Sequence, residues 1–226
     1  MAGHPKRALI AALALVLAYG FLVTATPADS AGSSHPAQRC KRPTHGFVPT
    51  RAGMVSLGRS VQVIQVQRTS SGQIGAGPVT ESGKWLMSMD PKRHPGGHRG
   101  TVILSGHTWP DGSALGNAML KDLWTGNGIV LAGKNGKTAC YRVNRRKSYP
   151  ANQVPSASVF RSEGSEQVVI VACSGKRLGP GNWTRRTLWF ATPWTPKPKP
   201  KPHPGNPQPS SPPSNPGLLG GLLGGL

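Results

Sequence analysis

Acidic residues are nearly missing from this chain. Its 226 residues carry 7 Asp+Glu against 27 Lys+Arg, a formal net charge of +20, and charged residues make up only 15% of the whole. A coiled coil or a helical bundle laced by i,i+4 ion pairs needs both signs in quantity, so this shortage argues against either. Long helical periodicity is scarce as well. With 30 Gly and 23 Pro, the composition favours short strands and turns over long helices. No spacing of His, Cys and Asp reads as a metal site. No nucleic-acid recognition motif accompanies the Trp and Arg residues. Neither a metal, a cofactor nor a nucleic-acid partner is expected.

What is present divides the chain into four parts. After Lys6 and Arg7, the run Ala8 to Ala25 (ALIAALALVLAYGFLVTA) holds no charge. As a helix of ~1.5 Å per residue it would span about 27 Å, close to the ~30 Å of a bilayer core. Residues 1–26 are therefore read as a membrane anchor with the basic end inside the cell, or as a signal segment cleaved near Val23-Thr24-Ala25. Either reading exports the remainder of the chain. Residues 27–43 form a linker. Residues 44–192 hold 19 basic and 6 acidic residues and are long enough to bury one core. Residues 193–226 carry 11 of the 23 prolines. Their Pro/Lys alternation predicts an extended basic spacer, ending in a Gly/Leu-rich stretch.

Within 44–192, short apolar runs alternate with turn residues. Ser60 to Gln67 (SVQVIQVQ) reads as a strand, as do Thr101 to Leu104 (TVIL) and Gln167 to Ala172 (QVVIVA). Gly128 to Ala132 and Thr138 to Val143 read as a hairpin with Asn135-Gly136 at its tip. Thr187 to Ala191 is the last strand, and Leu115 to Leu123 the one good helical stretch. An all-β fold with closed strand pairing is expected.

Position selects among the candidate reactive groups. Only His107, of the histidines, directly follows a buried strand; His94 and His98 lie in the loop PKRHPGGHRG. Only Cys173 ends a buried strand before a Gly-rich loop, expected from Ser174 to Thr184. A thiol held by a sheet yet open to substrate suits a nucleophile, and a nearby imidazole and guanidinium would favour its thiolate. An odd number of exported cysteines leaves two arrangements open. One is a single disulfide, with Cys40–Cys140 conceivable, plus a working thiol. The other is three free thiols.

The segment Ile103-Leu104-Ser105-Gly106-His107-Thr108 resembles the histidine motif of sortases, the bacterial surface-protein transpeptidases. Val168 to Ser174 (VVIVACS) is similar to their cysteine strand, and Arg186 to Ala191 (RTLWFA) to their arginine strand. Leu115 to Leu120 and Gly126 to Ile129 fit the helix and strand after the histidine. Gly83-Lys84-Trp85 and the Pro/Gly-rich loop before Thr101 resemble the actinobacterial branches, class F first and class E next. The chain departs in having Ala172 where the family usually has Thr, and in a basic, acid-free segment after the cysteine.

The resemblance implies a closed eight-stranded β-barrel with short helices, preceded by the N-terminal hydrophobic segment. It implies Cys173 as nucleophile on the Thr carbonyl of an LPxTG- or LAxTG-like sorting signal. His107 would be the general acid and base, and Arg186 the oxyanion or backbone donor. Partners would be sorting-signal peptides and an amine acceptor of cell-wall or pilin type. The excess of basic residues adds contact with anionic envelope polymers. Two other readings stand beside it: an exported cysteine peptidase without amine transfer, and a non-enzymatic basic module of the cell envelope.

Overall fold

The computed structural model describes residues 42–195 together with Cys40. The anchor or signal expected at 1–26, most of the 27–43 linker and the tail beyond Thr195 lie outside the described residues. Among the described residues, no helix is long and apolar enough to cross a membrane.

Eight strands close into a barrel: β1 (Pro49–Met54), β2 (Arg59–Gln65), β3 (Met87–Met89), β4 (Thr101–Gly106), β5 (Gly128–Gly133), β6 (Thr138–Pro150), β7 (Gln167–Gly179) and β8 (Asn182–Pro193). Neighbours around the barrel run β1-β2-β3-β4-β7-β8-β6-β5, with β5 closing on β1. Helix α1 (Leu115–Asp122) follows β4, and a single turn, α2 (Ser156–Val159), precedes β7. Closure pairs every strand on both sides, which leaves no open edge.

Alternation of side chains separates two apolar layers. Val102 and Leu104 of β4, Val168, Ile170 and Ala172 of β7, and Trp189 and Ala191 of β8 fill the interior with Leu115 and Met119 of α1. Ile103, Val169, Leu188 and Phe190 point outward and pack with Val159 of α2. Trp189 is fully buried, and its indole N–H donates to the Leu123 carbonyl at 2.7 Å. That bond satisfies a donor which would otherwise be costly to bury.

The hairpin forms at the expected residues. Asn135 and Gly136 both take positive φ, 58° and 70°, the backbone sign that an Asn-Gly tip supplies with least strain. Its second strand runs on to Pro150, far past the expected Val143, because β8 pairs with it from Tyr141 to Pro150. The expected loop from Ser174 to Thr184 is corrected: β7 and β8 continue through it as a hairpin ribbon, pairing Arg177 with Trp183 and Gly179 with Asn182. Cys173 is therefore not the last residue of its strand. Burial nonetheless stops just past it, since residues 175–178 are exposed and the register slips between Ser174 and Arg177. The ribbon keeps its backbone bonds while leaving the barrel wall, and a Gly-rich sequence with a Pro at its tip hides that pairing.

At the opposite end of the barrel, the buried Glu166 carboxylate accepts from the backbone N–H of Gly96 at 2.8 Å, that of His98 at 2.9 Å, and the Tyr141 hydroxyl. These contacts tie the loop before β4 to the starts of β6 and β7. Burial beside this carboxylate pushes the Tyr141 phenol well above its ordinary pKa. Cys40 and Cys140 form a disulfide with Cα atoms 5.7 Å apart, leaving Cys173 as the free thiol. The bridge closes a separation of 100 residues, and loops of that size are constrained strongly in the unfolded state, by about 2–4 kcal/mol in typical cases. Replacing both Cys40 and Cys140 with Ser should lower the thermal midpoint of the full chain by on the order of 10 °C. Cys173→Ser should leave it near the wild-type value. A double variant that melts with wild type would show that the bridge adds no stability.

Candidate active site

The parallel pairing of β4 with β7 ends at Gly106 opposite Ala172. His107 and Cys173 are the residues that directly follow this pair. β8 returns antiparallel, and Cys173 pairs directly with Arg186. Cys173 shares the outward parity of Val169 and Val171, and Arg186 that of Leu188 and Phe190. Thiol and guanidinium thus face the same side of the sheet at neighbouring ladder positions. All three residues singled out in the sequence meet at one end of the barrel. His94 and His98 sit before the start of β4, about 20 Å away along a six-residue strand.

His107 is held from two sides. Its main-chain carbonyl accepts from Gly116 N–H of α1 at 2.6 Å. A Cβ on Gly116 would lie 2.5 Å from both that carbonyl and Thr108 Oγ1, so the helix reaches this close only because it carries no side chain there. Asn117, one residue on, accepts from Trp109 N–H at 2.9 Å and donates through Nδ2 to the Trp109 carbonyl at 3.0 Å. Thr108 Oγ1 donates to the Cys173 carbonyl at 2.7 Å, binding the segment after β4 to β7. The His107 ring donates through Nε2–H to the Gly77 carbonyl at 2.8 Å. In the neutral ring this leaves Nδ1 as the unprotonated nitrogen.

Gly77 belongs to the connection between β2 and β3, which lies against the segment after His107. Lys84 clasps the two. Its ammonium is 2.9 Å from Glu81 Oε2 and 3.4 Å from Asp111 Oδ2, and sits 4.1 Å over the Trp109 ring. Leu115 N–H donates to the Lys84 carbonyl at 2.9 Å.

The adjacent arginines differ in their bonding. Arg185 donates through Nε and Nη2 to Ser148 Oγ and the Ser148 carbonyl, both at 2.9 Å. Arg186 donates through Nη1 alone, to the carbonyls of Trp183 and Arg185 at 3.0 Å. Its remaining N–H groups have no hydrogen-bond partner among the described residues. The cation over Trp189 is Arg146, which also covers Trp124.

Burial raises the Cys173 pKa above its ordinary value, and the Arg186 guanidinium opposes that rise without cancelling it. Desolvation disfavours the thiolate, whereas the neighbouring cation favours it. Among the described residues, no three His, Cys, Asp or Glu side chains gather into a group that could hold a metal ion.

Gly77, Thr108, Gly116 and Asn117 shape this site, and the sequence does not assign a role to any of them. A main-chain carbonyl leaves no signature in side-chain identity, which is why no partner for His107 is legible there. Asn117 does carry a signal: a polar residue at the third position of an apolar helix, able to bond the chain ahead of that helix.

Alkylation of Cys173 by iodoacetamide should accelerate with pH, with its midpoint above that of an ordinary thiol. Arg186→Ala removes the one opposing influence, so the midpoint should move further up. A midpoint unchanged or lowered in that variant would contradict the charge coupling across the β7–β8 pair.

A family model described as "Sortase domain" matches residues 56–194. Among solved structures, the chain is similar to sortase A of Listeria monocytogenes, at 14% identity, with 66% of this chain and 88% of that one covered and a TM-score of 0.45. It is also similar to sortase C-1 of Actinomyces oris, at 18% identity over 66% of this chain and 76% of that one, with a TM-score of 0.48. No curated protein sequence matches. With the family model spanning more than half of its length, the chain belongs to the sortase family.

Proposed function

We propose that this protein is a sortase of the class F type, with class E the next nearest. It would cleave an LPxTG- or LAxTG-like sorting signal and pass the acyl part to an amine. The observation that carries this reading is the direct opposition of Cys173 and Arg186 on one face, beside the residue that follows β4. In the first half-reaction the Cys173 thiolate attacks the Thr carbonyl carbon. The carbonyl oxygen becomes an oxyanion, which the free Arg186 N–H groups stabilise or whose peptide they align. Collapse breaks the C–N bond, and His107 gives its proton to the departing amine, leaving a thioacyl enzyme. In the second, an acceptor amine adds to the thioester and gives a proton to His107, and the Cys173 thiolate is expelled. The Gly77 carbonyl holds the imidazole so that Nδ1 exchanges these protons.

Ala172 departs from the family's usual Thr, but it is buried in the barrel interior. The change therefore removes no group from the outward face on which Cys173 lies. The uncharged run 8–25 after Lys6 and Arg7 supports a single N-terminal membrane anchor with the domain outside, or export followed by cleavage. The basic excess of the domain supports contact with anionic envelope polymers.

LPxTG and LAxTG peptides should be cleaved by the purified full chain, and an added amine such as triglycine should divert the acyl group from hydrolysis to transfer. Cys173→Ala and His107→Ala should each abolish turnover. Cleavage with no transfer at saturating amine would instead identify an exported cysteine peptidase. Absence of both would leave a binding module.

Arg186→Ala should lower kcat/KM by on the order of 100-fold on one peptide, the usual size of a lost oxyanion donor. Arg185→Ala should be much milder, since that side chain is committed to Ser148. Thermal melts check folding of both. A large loss at Arg185 with near-normal Arg186 would reverse the assignment.

A further inference from the structure

A second cationic site lies away from Cys173, toward the start of β4. There a cleft of about 310 Å³ is lined by Arg68, Lys92, Arg93 and Arg161, with Ile103 and Phe160 as its apolar wall. That volume is roughly ten times one water's share of liquid and reaches the lower range of small-ligand pockets. Phe160 is left 37% exposed, although it is a large apolar side chain beside four cations.

The nearby carboxylates are already committed. Asp90, only 3% exposed, accepts from Arg68 Nε at 2.7 Å and from Arg68 Nη2, and its other oxygen accepts from Lys92 N–H at 3.1 Å. Glu163 lies 3.5 Å from Arg99. The Lys92 ammonium has no anionic partner among the described residues. Arg93 Nη2 donates to the Ser162 carbonyl at 3.1 Å, and Arg161 Nη2 to the Ser165 carbonyl at 2.6 Å. These bonds to neutral carbonyls hold the two guanidinium groups in place without offsetting their charge. The scaffold beneath is fixed, because Thr101 N–H donates to the Arg161 carbonyl at 2.9 Å and Gly100 N–H to the Gly164 carbonyl at 3.0 Å. Three uncompensated cations held around one cleft repel one another unless an anion sits between them.

We propose that this cleft binds a phosphate group carried on a polyol or sugar. Several separated N–H donors suit a tetrahedral phosphate, whose oxygens point in different directions, whereas a carboxylate would be satisfied by one guanidinium fork. The exposed Phe160 ring takes the apolar face of the attached carbon skeleton. The site gives a specific location to the proposed envelope-polymer contact and rests on that reading.

The test titrates the full chain with a short glycerol phosphate oligomer, with inorganic phosphate and with polyglutamate of equal charge. Saturable binding of the oligomer is expected, weakened by salt. Inorganic phosphate should compete with it, showing that the phosphate group itself is recognised. The pair Arg93→Gln/Arg161→Gln should weaken the oligomer at least about tenfold, and so should Lys92→Gln, which removes no contact within the fold. The pair Lys134→Gln/Lys137→Gln on the β5–β6 turn should leave binding unchanged, and none of these variants should alter peptide cleavage. Equal weakening by the cleft and turn variants, or equal binding of polyglutamate, would overturn the cleft and leave only diffuse charge attraction. No binding of the oligomer at all would overturn the polymer contact as well. Peptide turnover, measured separately, tests the sortase reading on its own.

Discussion

The parallel pairing of β4 with β7 is the constraint on which the rest of the site depends. Residues 101–106 pair in unbroken register with residues 167–172, joining segments more than sixty positions apart in the chain. A slip of one residue would turn Ile103 inward and Leu104 outward, exchanging two buried side chains between separate apolar layers. The register is therefore enforced along its whole length by burial on both faces. His107 and Cys173 stand where this enforced segment ends, so their levels relative to each other are set by the core rather than by contacts of their own.

The same pairing explains what is legible in the amino-acid order. TVIL and QVVIVA are apolar on both faces, as strands covered on both sides must be, so the buried parts of β4 and β7 can be read directly although the strands run on to Gly106 and Gly179. Arg186 can be separated from Arg185 because alternation from Leu188 and Phe190 assigns it a face, and the outer layer contains those two residues. Less visible are elements whose reason is tertiary. β1 and β3 read poorly because PTRAGM and MSM show weak alternation, and they become strands by closing the barrel between β5 and β4. The ribbon beyond Cys173 reads as a loop because it is Gly-rich and interrupted by Pro180, yet strand pairing needs only backbone groups. The disulfide stays one of two open arrangements in the sequence, since spacing alone cannot state that Cys140, off the core parity of Ala139 and Tyr141, meets Cys40.

Positioning of His107 shows how little of a site needs side-chain identity. Its carbonyl is fixed by an N–H of Gly116, its ring by the carbonyl of Gly77, and the following segment by the clasp of Lys84. Two of these three anchors are main-chain groups at glycine positions. A carbonyl accepting from Nε2–H orients the ring as a carboxylate would, but without adding a negative charge beside it. The ring is thus held in one orientation, as the proposed proton transfer to a leaving amine and from an incoming one requires.

The barrel separates two demands between its ends. Around Cys173, burial ends, the register slips and a half-buried free thiol stands beside a guanidinium. These features sacrifice local stability to leave reactive groups accessible. Around Glu166, a buried carboxylate collects three donors and the Cys40–Cys140 bridge ties the incoming chain to β6. Along β6, Cys140 and the Arg186 partner Tyr149 are nine positions apart, roughly 30 Å at strand spacing. Covalent and hydrogen-bonded reinforcement at one end thus supports the fold without involving the ribbon at the other. The cationic cleft lies toward the reinforced end, where its guanidinium groups are held by backbone carbonyls of a segment docked on the start of β4. An anion bound there, as proposed, would lie away from Cys173 and leave the proposed peptide-binding end uncovered.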